Sequence, residues 1–407
     1  MVAGGGAVGP LAGVKVIEIA NGIHAPYAAM LLADMGADVL KIEPPQGDLN
    51  RSAAVVQGPI TIGSQYYACN RNKRVMTVNL TTERGREIVR QLVLESDVLI
   101  ENMRPGVLAK FGLGYDDLKD QNPRLVYASA TAYGLKGPRS SLPSLDIVAQ
   151  AAGGLVAHTG TEETGPLPAG TAIADHVGAI WLAYGVMLAL FARAQSGQGQ
   201  RVDSSLLGSQ MATQAWEMNH FLLSGVEPSR GGPSHALARG PWRVFRAKDG
   251  WFAIGGITDA RWPRLCAAIG AESLVEDPRF AASDVRLQNS DELNAELGNR
   301  FEELPLEKLI NLLEAADQVA APVMSYADLA NDPTVRANGY LVEFASPDGL
   351  TLPMLGIPIG LSRTPGSIRT APPGRDAHTA EVLADLGLDS NEIAELFNAG
   401  VVGAPSV

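Results

Sequence analysis

Two rhythms of apolar and polar positions alternate along the first third of the chain. Short apolar runs have the length and β-branched content of buried strands: "VKVIEI" from Val14 to Ile19, "ADVLKIE" ending at Glu43, "VMTVNL", "DVLIE" and "RLVYASA". Between them stand stretches with helical spacing: "HAPYAAMLLADMG" closed by Gly36, Thr82 to Leu94, and Val107 to Phe111. Strands separated by helices of this length predict an α/β fold with a parallel sheet covered on both faces. Ligands of such sheets bind beyond the C-terminal ends of the strands. Asn21 to His24, Asn102 to Arg104 and Tyr133-Gly134 stand at those ends.

After Gly134 a loop-rich segment carries Asp146 and leads to Asp175, which sits just before an apolar run from Val177 to Ala192. That run is 16 residues long, short of the ~20 that cross a bilayer, so it predicts a buried helix with Asp175 at or next to its N-cap. "QRVDSSLL" predicts another strand and Gly208 to Leu223 a helix. The Gly-, Pro- and Ser-rich stretch over 224–241 then marks a boundary. Beyond it, "WRVFRAKDGWFAIGG" predicts a hairpin turning at Asp249-Gly250, and helical patterns run on to about Ala316, together a small α+β domain. A Pro-Asp-Gly turn at 347–349 and a terminal helix pair close the pattern.

Composition narrows the function classes. A net charge of −12 disfavours nucleic acid as a partner and leaves room for a local basic pocket, for which Arg104, Lys110, Lys73 and Arg74 are candidates against the alternative of solvated surface. Two cysteines, Cys69 and Cys266, fit a reducing cytoplasm, and no CxxC or HExxH spacing suggests a metal. The glycine-rich start has neither a basic region nor an apolar core, so a flexible tail is expected in place of a signal or membrane anchor. The first βαβ unit invites a nicotinamide-cofactor reading, but Gly22 stands alone where GxGxxG is needed.

Asp175 admits two roles. It is a helix cap, or it is a carboxylate kept ionised by the positive end of the helix and available as a nucleophile. His176 points about 100° away on the helix and cannot easily serve the same atom.

The segments "GVKVIEIANGIHAPYAAMLLADMGADVLKIEPPQGD", "NRNKR", "SDVLIENMRPGVLAKFGLGYDDL", "NPRLVYASATAYGLKGP" and the "ADH" at Asp175, in this order, resemble the family III CoA-transferases, which include the α-methylacyl-CoA racemases. The resemblance extends over essentially the whole chain. It implies a Rossmann-like large domain built from 1–223 and 331–407, a linker over 224–241, a small domain over 242–330, and an interlocked homodimer or a heteromer with a related subunit. It also implies that Asp175 is the nucleophile, that first-turn N–H groups near it hold the oxyanion, and that Asp146 matches an assisting Glu. Asn21, Ile23, His24, Val78, Asn102, Met103, Arg104 and Lys110 would border CoA, with Arg104 and Lys110 nearest its phosphates. The implied substrates are an acyl-CoA, with succinyl-CoA a candidate donor, and a carboxylic acid, with no tightly bound cofactor. Racemases of the family carry a His-Asp pair where Leu145-Asp146 stands here, and moving an α-proton between faces needs two bases. Formyl-CoA transferases carry a Gln matching Ile23, a basic residue matching Pro44 and a four-glycine loop of which Gly231-Gly232 remain. The expectation is therefore a transferase, with a 2-methylacyl-CoA racemase or one subunit of a heteromeric transferase as alternatives.

Overall fold

A computed structural model describes residues 9–403 except 59, 236 and 348. Of the tail expected over 1–13, residues 1–8 lie outside the described residues, as does Asp348 of the expected Pro-Asp-Gly turn, while Leu11 is buried with its N–H donating to the Met35 carbonyl at 3.0 Å. The chain divides into two compact units. The first comprises 1–153, 170–213 and 333–407; the second comprises 154–169 and 214–332. The stretch at 224–241 thus lies inside the second unit, and the division falls at Gln214, where the helix expected over 208–223 breaks into Leu206–Thr213 and Ala215–Ser224.

In the first unit six parallel strands form the sheet: β1 Lys15–Ile19, β2 Asp38–Glu43, β3 Lys73–Thr77, β4 Val98–Glu101, β5 Val126–Thr131 and β6 Arg201–Ser205. Their order is β3-β2-β1-β4-β5-β6, and every pairing is parallel. The strand period of two sorts neighbouring residues to opposite faces. Val16, Val39, Val98 and Val126 pack on one side against α1 (His24–Asp34); Ile17, Leu40, Leu99 and Tyr127 pack on the other against α2 (Glu83–Leu94) and the C-terminal helices. The order reverses between β1 and β4, which places the crevice of a doubly wound sheet at the ends of these two strands. α3 (Val107–Lys110) and α4 (Asp146–Ala152) follow β4 and β5 on the same rim.

The long helix α5 spans Ile173–Ser196. The apolar run is longer than expected as a helix, and only one face of it is buried. Ala179, Leu182, Val186 and Ala189 sit against the sheet and Ala174 packs on Ala149 and Leu206, while Ile180, Trp181, Tyr184, Leu188 and Phe191 are exposed. By length and composition alone α5 could cross a membrane, but its buried face is the core of the sheet domain.

The second unit carries an antiparallel sheet whose strands include β7 Ala238–Ala247, β8 Gly250–Gly255 and β9 Val319–Pro322, packed on Trp262, Leu293, Leu297 and Phe301. Ala247 pairs with Gly250, so the hairpin turns at Lys248-Asp249, one residue earlier than expected, and Gly250 opens β8.

Candidate active site

Two asparagines close the crevice at the switch point. The Asn21 N–H donates to Asn102 Oδ1 at 3.0 Å, and Asn102 Nδ2 returns a bond to the Asn21 carbonyl at 2.6 Å, joining the ends of β1 and β4. Gly22 follows at φ +82°, a left-handed conformation that favours glycine, and its carbonyl accepts from Asn50 Nδ2 at 2.8 Å.

Beneath this loop lies a fully buried ionic cluster. Lys41 Nζ meets Glu18 at 2.7 Å and Asp48 at 2.8 Å, and Lys73 Nζ meets the other Glu18 oxygen at 2.7 Å. Burial would raise the Glu18 carboxyl, but the two ammonium groups hold it below the usual carboxylate range. Two lysines and two acids make the cluster neutral, which is how charges persist in a core. Lys73 is therefore consumed internally. Arg74 pairs with Asp38 at 2.8 Å and with Glu381, so neither Lys73 nor Arg74 of "NRNKR" belongs to a phosphate pocket. The rest of that motif is a clamp: Asn70 Oδ1 accepts from Lys73, Arg71 pairs with Asp34, and Asn72 Nδ2 donates to Asp34 and to the Ser367 carbonyl while its Oδ1 accepts from the Arg369 and Thr370 N–H groups. Glu43, the acid a nicotinamide cofactor would need for its ribose, is occupied by Arg51 at 2.9 Å.

A cavity of about 300 Å³ opens at the crevice. Asn21, Ile23, His24, Asn102, Met103 and Arg104 line it together with Asp175. The rest of its wall includes the end of β5 at Ala130 and Thr131, Leu206, and the loop through Leu142, Pro143 and Leu145. Two other expected residues stand apart from it. Val78 is 1% exposed, bridged to Val402 near the C-terminus, and belongs to the hydrophobic core. Lys110 is exposed on the last turn of α3, outside the cavity lining.

Asp175 is the third residue of α5, and the cap is a different acid. Asp146 Oδ1 accepts from the backbone N–H groups of Ala174 at 2.7 Å and Asp175 at 3.1 Å, and its Oδ2 accepts from Gln150 Nε2 at 2.5 Å. The capping role expected of Asp175 thus falls to Asp146, which opens α4 and reaches across to α5. This leaves the Asp175 carboxylate without a hydrogen bond among the described residues. It also removes the oxyanion donors expected beside it, since the Ile173 and His176 N–H groups bond to the Thr171 and Ala172 carbonyls.

The helix end does not keep Asp175 ionised as expected. Burial, and next the charge of Asp146, push its carboxyl up to about 7. The neighbouring His24 is driven down to about 4 by burial and is neutral. His176 points elsewhere, with Nδ1 at 2.8 Å from the Ala172 carbonyl and its ring edge-on to Tyr27. In the first turn of α1 the His24 and Ala25 N–H groups find no acceptor among the described residues, α1 lacks a side-chain cap, and His24 lines the cavity.

The model of CoA-transferase family III matches residues 11–379. The chain belongs to that family. The succinate–glutarate CoA-transferase of Agrobacterium fabrum is 33% identical over 383 residues, covering 93% of this chain and 96% of that protein. The succinyl-CoA–L-malate CoA-transferase beta subunit of Chloroflexus aurantiacus is 35% identical over 399 residues, covering 97% and 98%. A crystal structure of a CAIB/BAIF family protein from Brucella suis superposes with a TM-score of 0.84 at 34% identity, covering 93% of this chain and 99% of that one. As a family III CoA-transferase the protein is an enzyme acting on CoA thioesters. The Asp146 cap was the part of its site least visible from sequence, because it joins residues 28 and 29 positions apart with no local spacing to mark them.

Proposed function

We propose that this enzyme moves CoA from succinyl-CoA to a carboxylic acid, with Asp175 as the nucleophile. The observation that carries this is an unbonded carboxylate in the cavity at the switch point, in a lining that includes His24 from the uncapped first turn of α1. Asp175 attacks the thioester carbonyl, the oxyanion is received by the His24 and Ala25 N–H groups, and CoA leaves as thiolate, giving a mixed anhydride of Asp175 and the acyl group. The thiolate attacks the aspartyl carbonyl, releasing the first acid and leaving an aspartyl-CoA thioester. The acceptor carboxylate attacks the aspartyl carbonyl of that thioester, expelling CoA thiolate and forming a second mixed anhydride; the thiolate then attacks the acceptor's acyl carbonyl, giving the new acyl-CoA and freeing the Asp175 carboxylate. The succinyl donor is drawn from the names of the relatives, and the two-step exchange from the near thermoneutrality of moving a thioester between carboxylates.

Arg104 on the cavity rim and Lys110 on α3 are both exposed, where the phosphates of CoA would lie in solvent while the thioester end occupies the cavity. Asp146 acts through Asp175 as a positioning residue, since both its oxygens are engaged. Leu145 in the wall supplies no second base, which disfavours racemisation. The exposed apolar face of α5 supports an interlocked dimer with a second copy of the chain.

Asp175→Ala is expected to abolish transfer between succinyl-CoA and glutarate while CoA still binds, measured by thioester exchange and calorimetry. Retained turnover in this variant would refute the assignment.

A further inference from the structure

In the first unit, the loop before the C-terminal helices holds a guanidinium whose gripping edge is empty. Arg375 Nε and Nη2 are both shielded from solvent and have no hydrogen-bond partner, and no ion pair among the described residues includes Arg375. These two nitrogens form the edge of a guanidinium that meets two oxygens of one oxyanion side-on. The neighbouring Arg51 displays that match, with Nε and Nη2 each 2.9 Å from a Glu43 oxygen.

The surroundings place Arg375 at the end of β2. A Cβ on Gly47 would stand 3.6 Å from Arg375 Nε and equally far from Glu43 Oε2 and Arg51 Cδ, so the guanidinium lies beside the turn that follows the strand. Pro373, two residues earlier, is tied to the same spot: its carbonyl accepts from Arg51 Nη1 at 3.2 Å and from Tyr66 Oη at 3.3 Å. Charge there does not balance. Glu43 is matched by Arg51, and Asp48 belongs to the neutral cluster with Lys41, Lys73 and Glu18, so the charge of Arg375 is left over. Shielded guanidinium N–H groups without acceptors are costly, and an anion that brings its own oxygens removes that cost. Arg375 as a whole is partly exposed, at the rim rather than in the core, where a ligand from solvent reaches it.

All six strands of the sheet end on one rim, with β1 between β2 and β4. At about 4.8 Å per strand the end of β2 stands ~10 Å from that of β4, where the Asp175 cavity, Arg104 and Lys110 lie. A cation so placed is set for the part of a CoA thioester farthest from its reacting carbonyl, the 3′-phosphate, a monoester with close to two negative charges and three free oxygens. We propose that Arg375 is a binding residue for the 3′-phosphate of CoA, gripping it with Nε and Nη2 at the end of β2. The anion site rests on the orphaned guanidinium; the choice of this phosphate rests on the reading that puts the thioester at Asp175 and the other phosphates by Arg104 and Lys110.

The test is calorimetric titration of the full-length protein and its variants with CoA and with 3′-dephospho-CoA. The parent is expected to bind CoA roughly tenfold or more tightly than 3′-dephospho-CoA, the value of a charge-assisted pair. Arg375→Gln should lower CoA affinity to that of 3′-dephospho-CoA while leaving 3′-dephospho-CoA unchanged, and Arg375→Lys should restore part of the preference. A parent that binds both equally, a preference that survives in Arg375→Gln, or a variant that loses both ligands by the same factor would overturn the assignment. The titration requires no turnover, so an Asp175 adduct that forms normally alongside such a result refutes this inference alone; an Arg375-dependent preference without any adduct refutes the nucleophile assignment alone.

Discussion

At the scale of single residues, the two acids divide a task that the sequence invites one to assign to Asp175 alone. Asp146 satisfies the helix end, and Asp175 is left free of hydrogen bonds with its carboxyl raised to about 7. Since the nucleophile works deprotonated, kcat/KM for transfer should rise with pH through about 7. Asp146→Asn keeps the Oδ1 acceptor and removes the charge, so the acid limb of that profile should move to lower pH; an unmoved limb would show that Asp146 exerts no field on Asp175. Asp146→Ala also loses the cap and should cost about 1–2 kcal/mol, seen as a lower Tm. The sign for stability is the reverse of an ordinary paired Asp. A folded-state value raised above the unfolded one favours folding below the unfolded value and loses that contribution as pH rises through about 7. Asp175→Asn should therefore be inactive yet melt higher than the parent at pH 8, with the advantage vanishing near pH 4.

At the scale of elements, α1 and α5 meet at His24 and Gly178. A Cβ on Gly178 would sit 2.8 Å from His24 Nε2, so the glycine sets how closely the two helix starts approach. Gly178→Ala should push His24 toward the cavity, costing roughly 1–3 kcal/mol of stability and weakening CoA binding, which melting curves and CoA titration would register. The strands and helices around this crossing were legible because their signals are local: short apolar, β-branched runs in β1 to β5, Gly36 after α1, and turns between. What was not legible depends on contacts distant in sequence. "NRNKR" reads as a basic patch, but its partners are Asp34, Asp38 and Glu18 earlier in the chain and Ser367 to Thr370 near its end, so folding turns it into a clamp. The resemblance alone sets Val78 beside CoA, and nothing near it in sequence announces its bridge to Val402.

At the scale of the whole molecule, the apolar run of α5, too short to cross a bilayer, predicts a buried helix, and in the single chain one face of it is exposed. Phe191 is 68% exposed and Tyr184 52%, on a face continuous with Trp181 and Leu188. If a second copy covers this face, Tyr184→Glu and Phe191→Glu together should convert the protein to a monomer by sedimentation or light scattering; an unchanged mass would place the dimer contact elsewhere. A native species of mixed composition would instead favour pairing with a related subunit.

The central claim is that the carboxylate of Asp175 carries the acyl group and then CoA. Incubation with succinyl-CoA, quenching with hydroxylamine or borohydride, and mass spectrometry of the peptide holding Asp175 measures this directly. The account predicts an aspartyl hydroxamate, or the corresponding reduced side chain, at Asp175 alone and only when the thioester is present. An unmodified Asp175 in an enzyme that is still turning over, or an adduct on another residue, would contradict it.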